Sequence, residues 1–144
     1  MPLLLVRHGR AGERSEWDGD DRDRPLDQVG MRQAGELDEL LAGLSIEAVY
    51  TSPYRRCIET VEPIAAARSL ALEERDELGE ERQVDGIALV RSLAGHDVLV
   101  CGHGGLEAAL QRTPKWRKGS TFVVDESLRV VAVLRPRAGA RPDR

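Results

Sequence analysis

Two histidines in this chain carry the same setting: Arg7-His8-Gly9 and Gly102-His103-Gly104 each follow a short apolar run and run into glycine. A neutral imidazole offers a lone pair, and a guanidinium beside it can hold an anionic target in place. His8 with Arg7 at its side is therefore a candidate nucleophile, against the alternative of a strand-end histidine bonded to the backbone. Arg55 and Arg56 follow Thr51-Ser52-Pro53, which reads as a helix start with Ser52 as cap and Pro53 at the first helical position. Free N–H groups and the helix dipole favour an anion there. Arginines in that turn oppose the dipole, which favours an anion site over a surface pair with Glu59 or Glu62. With several acids near Glu80, the set describes a phosphoryl site. A phosphate dianion needs fixed donors on its equatorial oxygens, an in-line nucleophile and a proton source for the leaving oxygen.

The elements that must position these groups alternate between strands and helices. Leu3 to Val6 and Val98 to Cys101 are apolar runs of the kind that form strands buried on both faces, and open α/β sheets place their chemistry at the carboxyl ends of such strands. Asp27 is an N-cap for a helix with Ala34, Leu37 and Leu41 on one stripe, ending near Gly43. Ile46, Ala48, Val49 and Tyr50 read as a strand. The next helix carries Pro63, which predicts a kink or break before Ile64. Leu70 to Leu72 reads as a short strand, Glu73 to Gln83 as a solvated connection, and Ile87, Val90, Leu93 and Ala94 as a helix closed by Gly95. Leu106 to Leu110 opens a helix, Pro114 to Gly119 is a basic loop, and Thr121 to Val124 with Arg129 to Leu134 reads as a hairpin. Residues 1–134 are expected to form one domain and residues 135–144 a mobile, solvated tail.

At 144 residues, with 41% hydrophobic but only 3% aromatic content, the core must be built from Leu, Val and Ala. A net charge of −4 argues against a nucleic-acid polymer or a membrane surface as partner, so any anion must be caught locally. Cys57 and Cys101 form no C-x-x-C pair, which speaks against a disulfide framework or zinc knuckle and for a reducing, cytoplasmic setting. The N-terminal apolar run is too short for a signal core, and no segment is long enough to span a bilayer. The acidic run Asp18, Asp20, Asp21 and Asp23 places Arg22 and Asp23 where a calcium loop wants a ligand and glycine, so it reads as solvated surface.

The chain resembles the histidine phosphatase (phosphoglycerate mutase-like) superfamily. The resemblance rests on three motifs in order: Arg7-His8-Gly9, then Thr51-Ser52-Pro53-Tyr54-Arg55-Arg56-Cys57-Ile58-Glu59-Thr60, then Gly102-His103-Gly104. It is similar to the short branch of small phosphohistidine phosphatases and to the histidine-phosphatase domain linked to Nudix hydrolases. Asp20-Asp21 with Arg24-Pro25-Leu26, and Arg117-Lys118-Gly119-Ser120-Thr121, strengthen the second likeness. The resemblance implies a three-layer α/β sandwich, a central mostly parallel sheet with helices on both faces. It implies that His8 attacks phosphorus and is transiently phosphorylated, while Arg7, Arg56 and His103 hold the phosphoryl oxygens. It places the general acid in Leu78-Gly79-Glu80, with Glu81, Glu77 and Glu74 as alternatives because this stretch departs from the family's acid-then-aromatic-glycine pattern. Gly9, Gly104, Arg14 and Lys118 are expected to contact substrate.

The implied mechanism needs no metal or other cofactor. The chain lacks the long insertion of the larger mutases and sugar-bisphosphatases, so an open, shallow site is expected, suited to a phosphoryl group on a protein side chain, such as phosphohistidine, or to a nucleotide diphosphate. The rival reading is a noncatalytic phosphate- or phosphoprotein-binding module. Both readings require His8, His103 and Arg56 to converge on one hole of phosphoryl size.

Overall fold

The computed structural model describes residues 2–140. Its sheet contains β1 (Leu3–Arg7), β2 (Ala48–Thr51), β3 (Leu72–Glu74), β4 (Val98–Gly102), β5 (Thr121–Val124) and β6 (Val130–Leu134), in the spatial order β3-β2-β4-β1-β5-β6. β3, β2, β4 and β1 run parallel, and β5 and β6 add an antiparallel edge. α1 (Gln28–Leu40) and α2 (Arg55–Ala67) cover one face, and α3 (Gln83–Ser92) covers the other.

Side-chain alternation along the strands builds this three-layer arrangement. Leu4 and Val6 of β1 meet Leu37 of α1 and Cys57, Val61 and Ile64 of α2. Leu3 and Leu5, from the same strand, pack with Val90 of α3, Leu106, Trp116 and Phe122 on the opposite side. Each of these buried aliphatic side chains contributes roughly 2 kcal/mol of transfer free energy. β1 and β4 sit in mid-sheet with both faces covered, hence their unbroken apolar composition.

Several local expectations are corrected. α2 runs without a break through Pro63, which lies exposed while Val61, Ile64 and Ala65 are buried beside it. The proline removes one backbone donor on the solvent side, and packing of the inner face carries the helix across. α2 begins at Arg55, not at Pro53, because Ser52 Oγ accepts from the Tyr54 amide and the chain turns once more before the helix. Arg55 and Arg56 still occupy its first turn. Leu106–Ala109 is a single 3-10 turn, too short for an α-helix.

The tail expected over residues 135–144 is tied down as far as it is described. The amides of Arg137 and Ala138 donate to Glu36 of α1 at 2.8 and 2.9 Å, and Gln33 Nε2 donates to the Ala138 carbonyl. The remaining four residues lie outside the described ones.

Candidate active site

Parallel pairing of β1 with β4 sets Arg7 opposite Gly102, so the next residue of each strand, His8 and His103, emerges at the same edge. Their ring centroids are 5.4 Å apart, edge to face. β4 also pairs with β2, Thr51 opposite Cys101, which brings the start of α2 to the same place. Three parallel strands thus deliver their carboxyl ends, and the motifs that follow them, to one cleft.

His8 is buried, and its Nδ1 lies 2.8 Å from the Gly9 carbonyl oxygen. A carbonyl only accepts, so Nδ1 carries the proton and Nε2 carries the lone pair. Burial holds the imidazole well below its usual pKa against the opposing pull of that hydrogen bond, and His103, Arg56 and Arg7 add like-charge repulsion. At neutral pH the His8 imidazole is therefore uncharged and oriented. The Gly9 amide is fixed in turn by donation to Thr60 Oγ1, and that hydroxyl donates to the Arg56 carbonyl.

His103 is 2% exposed. Its Nε2 lies 2.8 Å from Ser52 Oγ and 3.6 Å from Cys57 Sγ, and the Tyr54 ring stands edge-on at 4.7 Å. On the other side Nδ1 is 3.3 Å from Glu80 Oε2, ion-pair distance without hydrogen-bond alignment. Burial alone would raise the Cys57 thiol, but hydrogen bonding with Cys101 and His103 outweighs it and holds the thiol below its usual pKa.

Arg56 is fully buried. Its Nη1 donates to the Asp21 carbonyl at 2.8 Å, and Nη2 donates to Asp21 Oδ2 at 3.1 Å and to Glu80 Oε2 at 2.6 Å. Arg14 Nη2 reaches Glu80 Oε1 at 2.6 Å, so one carboxylate bridges two guanidinium groups. Burial would raise the Glu80 pKa, but Arg14, His103 and Arg56 together hold it below the usual carboxylate value. Glu80 is an ionised bridge in this state.

Arg7 donates from Nη1 to the Trp116 carbonyl at 2.9 Å and lies against the Gly104 backbone. Burial lowers its pKa, with Glu107 and Glu80 pulling the other way. Arg7 Nε and Arg56 Nε are buried N–H groups without an acceptor. Orphaned donors cost about 1–3 kcal/mol each, which an anion between them would recover. The cleft has a volume of about 150 Å³, and Arg24 and Lys118 complete its wall.

The structure brings together Arg7, His8, Arg56, His103, Glu80, Arg14, Gly104 and Lys118 from the sequence-based set. Gly9 is set apart: it packs on Gly30 and Gln33 of α1, and its amide is taken by Thr60. Of the other acids, Glu81 bonds to Tyr54 Oη and Glu77 to Arg75, while Glu74 is exposed on β3. Arg55 is the surface member of its pair, bridged to Glu59.

Sequence reasoning missed Asp21 and Arg24. Asp21 accepts from Arg56 and from Arg24 Nε, and Arg24 Nη1 donates to the Ala11 carbonyl at 2.6 Å. A mixed-charge run reads as surface, and the hint was Asp20-Asp21 with Arg24-Pro25-Leu26, which carried part of the family likeness without a role for either residue. Among the described residues no group of three or more His, Cys, Asp or Glu is placed to hold a metal, and no helix is long and apolar enough to cross a membrane.

A family model described as histidine phosphatase superfamily (branch 1) matches residues 3–84. An 8-oxo-(d)GTP phosphatase of Mycolicibacterium smegmatis is 32% identical over 142 residues, 87% of this chain but 44% of that protein. The chain thus spans less than half the length of this curated relative. The provisionally assigned phosphohistidine phosphatase SixA of Agrobacterium tumefaciens superposes with a TM-score of 0.79 at 21% identity, covering 94% of this chain and 97% of the other. The tungstate complex of the protein histidine phosphatase SixA gives 0.75 at 22% identity with the same coverage.

Proposed function

The chain belongs to the histidine phosphatase superfamily, branch 1, and from that membership we propose that it hydrolyses a phosphoryl group through a phosphohistidine on His8, with a phosphoprotein or a nucleotide phosphate as substrate. The observation that carries this reading is the fixed tautomer of His8. Nδ1 is anchored on Gly9, Nε2 is free, and burial beside Arg56 and Arg7 holds the ring uncharged. A site that only binds phosphate has no use for an uncharged, oriented lone pair, which disfavours the noncatalytic alternative.

In this reading His8 Nε2 attacks phosphorus, the P–N bond forms and the bond to the leaving oxygen breaks. Arg7 Nε and Arg56 Nε, now without acceptors, and His103 receive the equatorial oxygens, and their charge counts most in the transition state. Water then attacks the phosphohistidine, the P–N bond breaks, and inorganic phosphate leaves. These roles are filled by the chain's own side chains, so activity is expected to persist in chelator. Two buried free thiols fit a reducing, cytoplasmic setting.

The test is hydrolysis of para-nitrophenyl phosphate in chelator, beside transfer of labelled phosphate to the protein. Wild type is expected to turn over and to trap an acid-labile, base-stable label that His8→Ala lacks. Turnover that survives in His8→Ala would end the proposal.

A further inference from the structure

The two imidazoles of the cleft are mounted in opposite senses. His8 turns Nδ1 to the Gly9 carbonyl and leaves Nε2 for the cleft. His103 turns Nε2 to Ser52 Oγ, and its Nδ1 is buried without a hydrogen-bond partner, facing Glu80, which lines the cleft with it. What each ring presents depends on which nitrogen holds the proton.

Ser52 decides this for His103. It follows β2 and is fully buried. Its amide donates to the Cys101 carbonyl at 3.0 Å, which ties it to β4 next to His103, and its carbonyl accepts from Thr51 Oγ1. Its hydroxyl oxygen has two hydrogen-bond neighbours among the described residues, the Tyr54 amide at 3.2 Å and His103 Nε2 at 2.8 Å. An amide only donates, so the hydroxyl proton is left with one acceptor, the Nε2 lone pair. With the imidazole proton on Nε2 instead, the oxygen would accept from both neighbours and its own proton would be buried without a partner, an arrangement that folded chains avoid. The imidazole proton therefore sits on Nδ1. The ionised Glu80, its Oε2 3.3 Å from that atom, also favours a proton there over a lone pair.

We propose that Ser52 is a positioning residue whose hydroxyl fixes the Nδ1–H tautomer of His103, so that this ring presents a proton to an equatorial phosphoryl oxygen where His8 presents a lone pair to phosphorus. This rests on the phosphatase reading and assigns the donor atom for it. Both rings carry the same tautomer; a carbonyl anchor turns the lone pair of one to the cleft, and a hydroxyl anchor turns the proton of the other. Nδ1 keeps its proton throughout, and its hydrogen bond strengthens as charge builds on the oxygen. Without the Ser52 hydroxyl the proton is free to move to Nε2, where Cys57 Sγ lies 3.6 Å away, and a bare lone pair on Nδ1 would then face the phosphoryl oxygen.

The experiment pairs proton–nitrogen correlation spectra of isotope-labelled histidine side chains, which separate the two tautomers, with kcat and KM for para-nitrophenyl phosphate in wild type, Ser52→Ala and Ser52→Thr. The His103 signals are assigned by their loss in His103→Gln. At neutral pH wild-type His103 is expected to show the Nδ1–H pattern, and saturating inorganic phosphate to shift it. Ser52→Ala is expected to change that pattern to Nε2–H, leave the His8 pattern as it was, and lower kcat by roughly a hundredfold, the order of one lost oxyanion donor, with a much smaller change in KM. Ser52→Thr keeps the hydroxyl and is expected to restore the Nδ1–H pattern and most of kcat. An Nε2–H pattern in wild type, or one that saturating phosphate does not shift, overturns the proposal whether or not the variants fold. So does a folded Ser52→Ala protein that loses kcat with the Nδ1–H pattern intact, since Ser52 would then act on the fold alone. Wild type that shows the pattern and the phosphate shift but neither turns over nor takes label on His8 would instead overturn the phosphatase reading and leave the tautomer assignment standing.

Discussion

Gly104 and the Arg7 guanidinium touch: a Cβ on residue 104 would stand 3.1 Å from Arg7 Nη2 and 3.2 Å from its Cζ. Arg7 cannot step aside freely, because Nη1 is held by the Trp116 carbonyl. Gly104→Ala is therefore expected to move the guanidinium by a few tenths of an ångström and lower kcat by about tenfold, the order expected for a misplaced charge donor. Steady-state kinetics beside a melting curve checks this; an unchanged kcat would mean that Arg7 is not held against the reacting group.

Arg56→Lys keeps a charge and loses the planar fork that spans Asp21 and Glu80. A loss of about a hundredfold or more in kcat is expected, with a lower melting temperature, since the loop carrying Asp21 loses its anchor. Near-normal turnover would remove Arg56 from the transition state.

Glu80 links activity to the leaving group. Glu80→Gln is expected to slow an alkyl phosphate more than an aryl phosphate, because only the former depends on a delivered proton. Stability has a separate signature. The native pKa of Glu80 is depressed, so its contribution is present above the unfolded carboxylate pKa and lost as pH falls through the native value. The stability gap between wild type and Glu80→Gln should be open at pH 7 and close below about pH 4, as read by denaturant melts across that range.

His8 acts in the same direction, over a higher pH range. Its native pKa lies well below the unfolded value near 6.5, so the unfolded chain takes a proton that the native site refuses. That costs stability as pH falls from about 6.5 toward the native pKa. His8→Asn is expected to flatten this part of the stability curve. The nucleophile itself should put no inflection near pH 6.5 on kcat/KM.

Thr60→Val leaves the Gly9 amide without its acceptor, at a cost of about 1–3 kcal/mol. The Gly9 carbonyl that sets the His8 tautomer belongs to the same residue, so kcat should fall along with the melting temperature. A stability loss with full activity would show that the tautomer tolerates movement of Gly9.

The strand-then-histidine plan was legible because strands buried on both faces, such as Leu3–Val6 and Val98–Cys101, are apolar without alternation. Arg56 was legible from its place in the first turn of α2. The choice of Glu80 among neighbouring acids was hidden, since it depends on the turn at Asp76–Leu78 and on Gln83 Nε2 donating to the Glu80 carbonyl. Asp21 and Arg24 were hidden for a related reason: the partner that ties Asp21, and through it Arg24, to the cleft is Arg56, which lies on α2. Pro63 misled because its penalty is local, while the packing that overrides it is tertiary.

The opposition of Arg7 and Gly102 has a last consequence. A slip of β4 by one residue would turn its inward-facing aliphatics to the wrong layer and, in the same movement, pull the two imidazoles out of step. Chemical competence and correct assembly are thus a single event for this molecule. On the proposed chemistry, phosphate incorporation at residue 8 would titrate natively folded chains, blind to any collapsed species in which the sheet is misaligned.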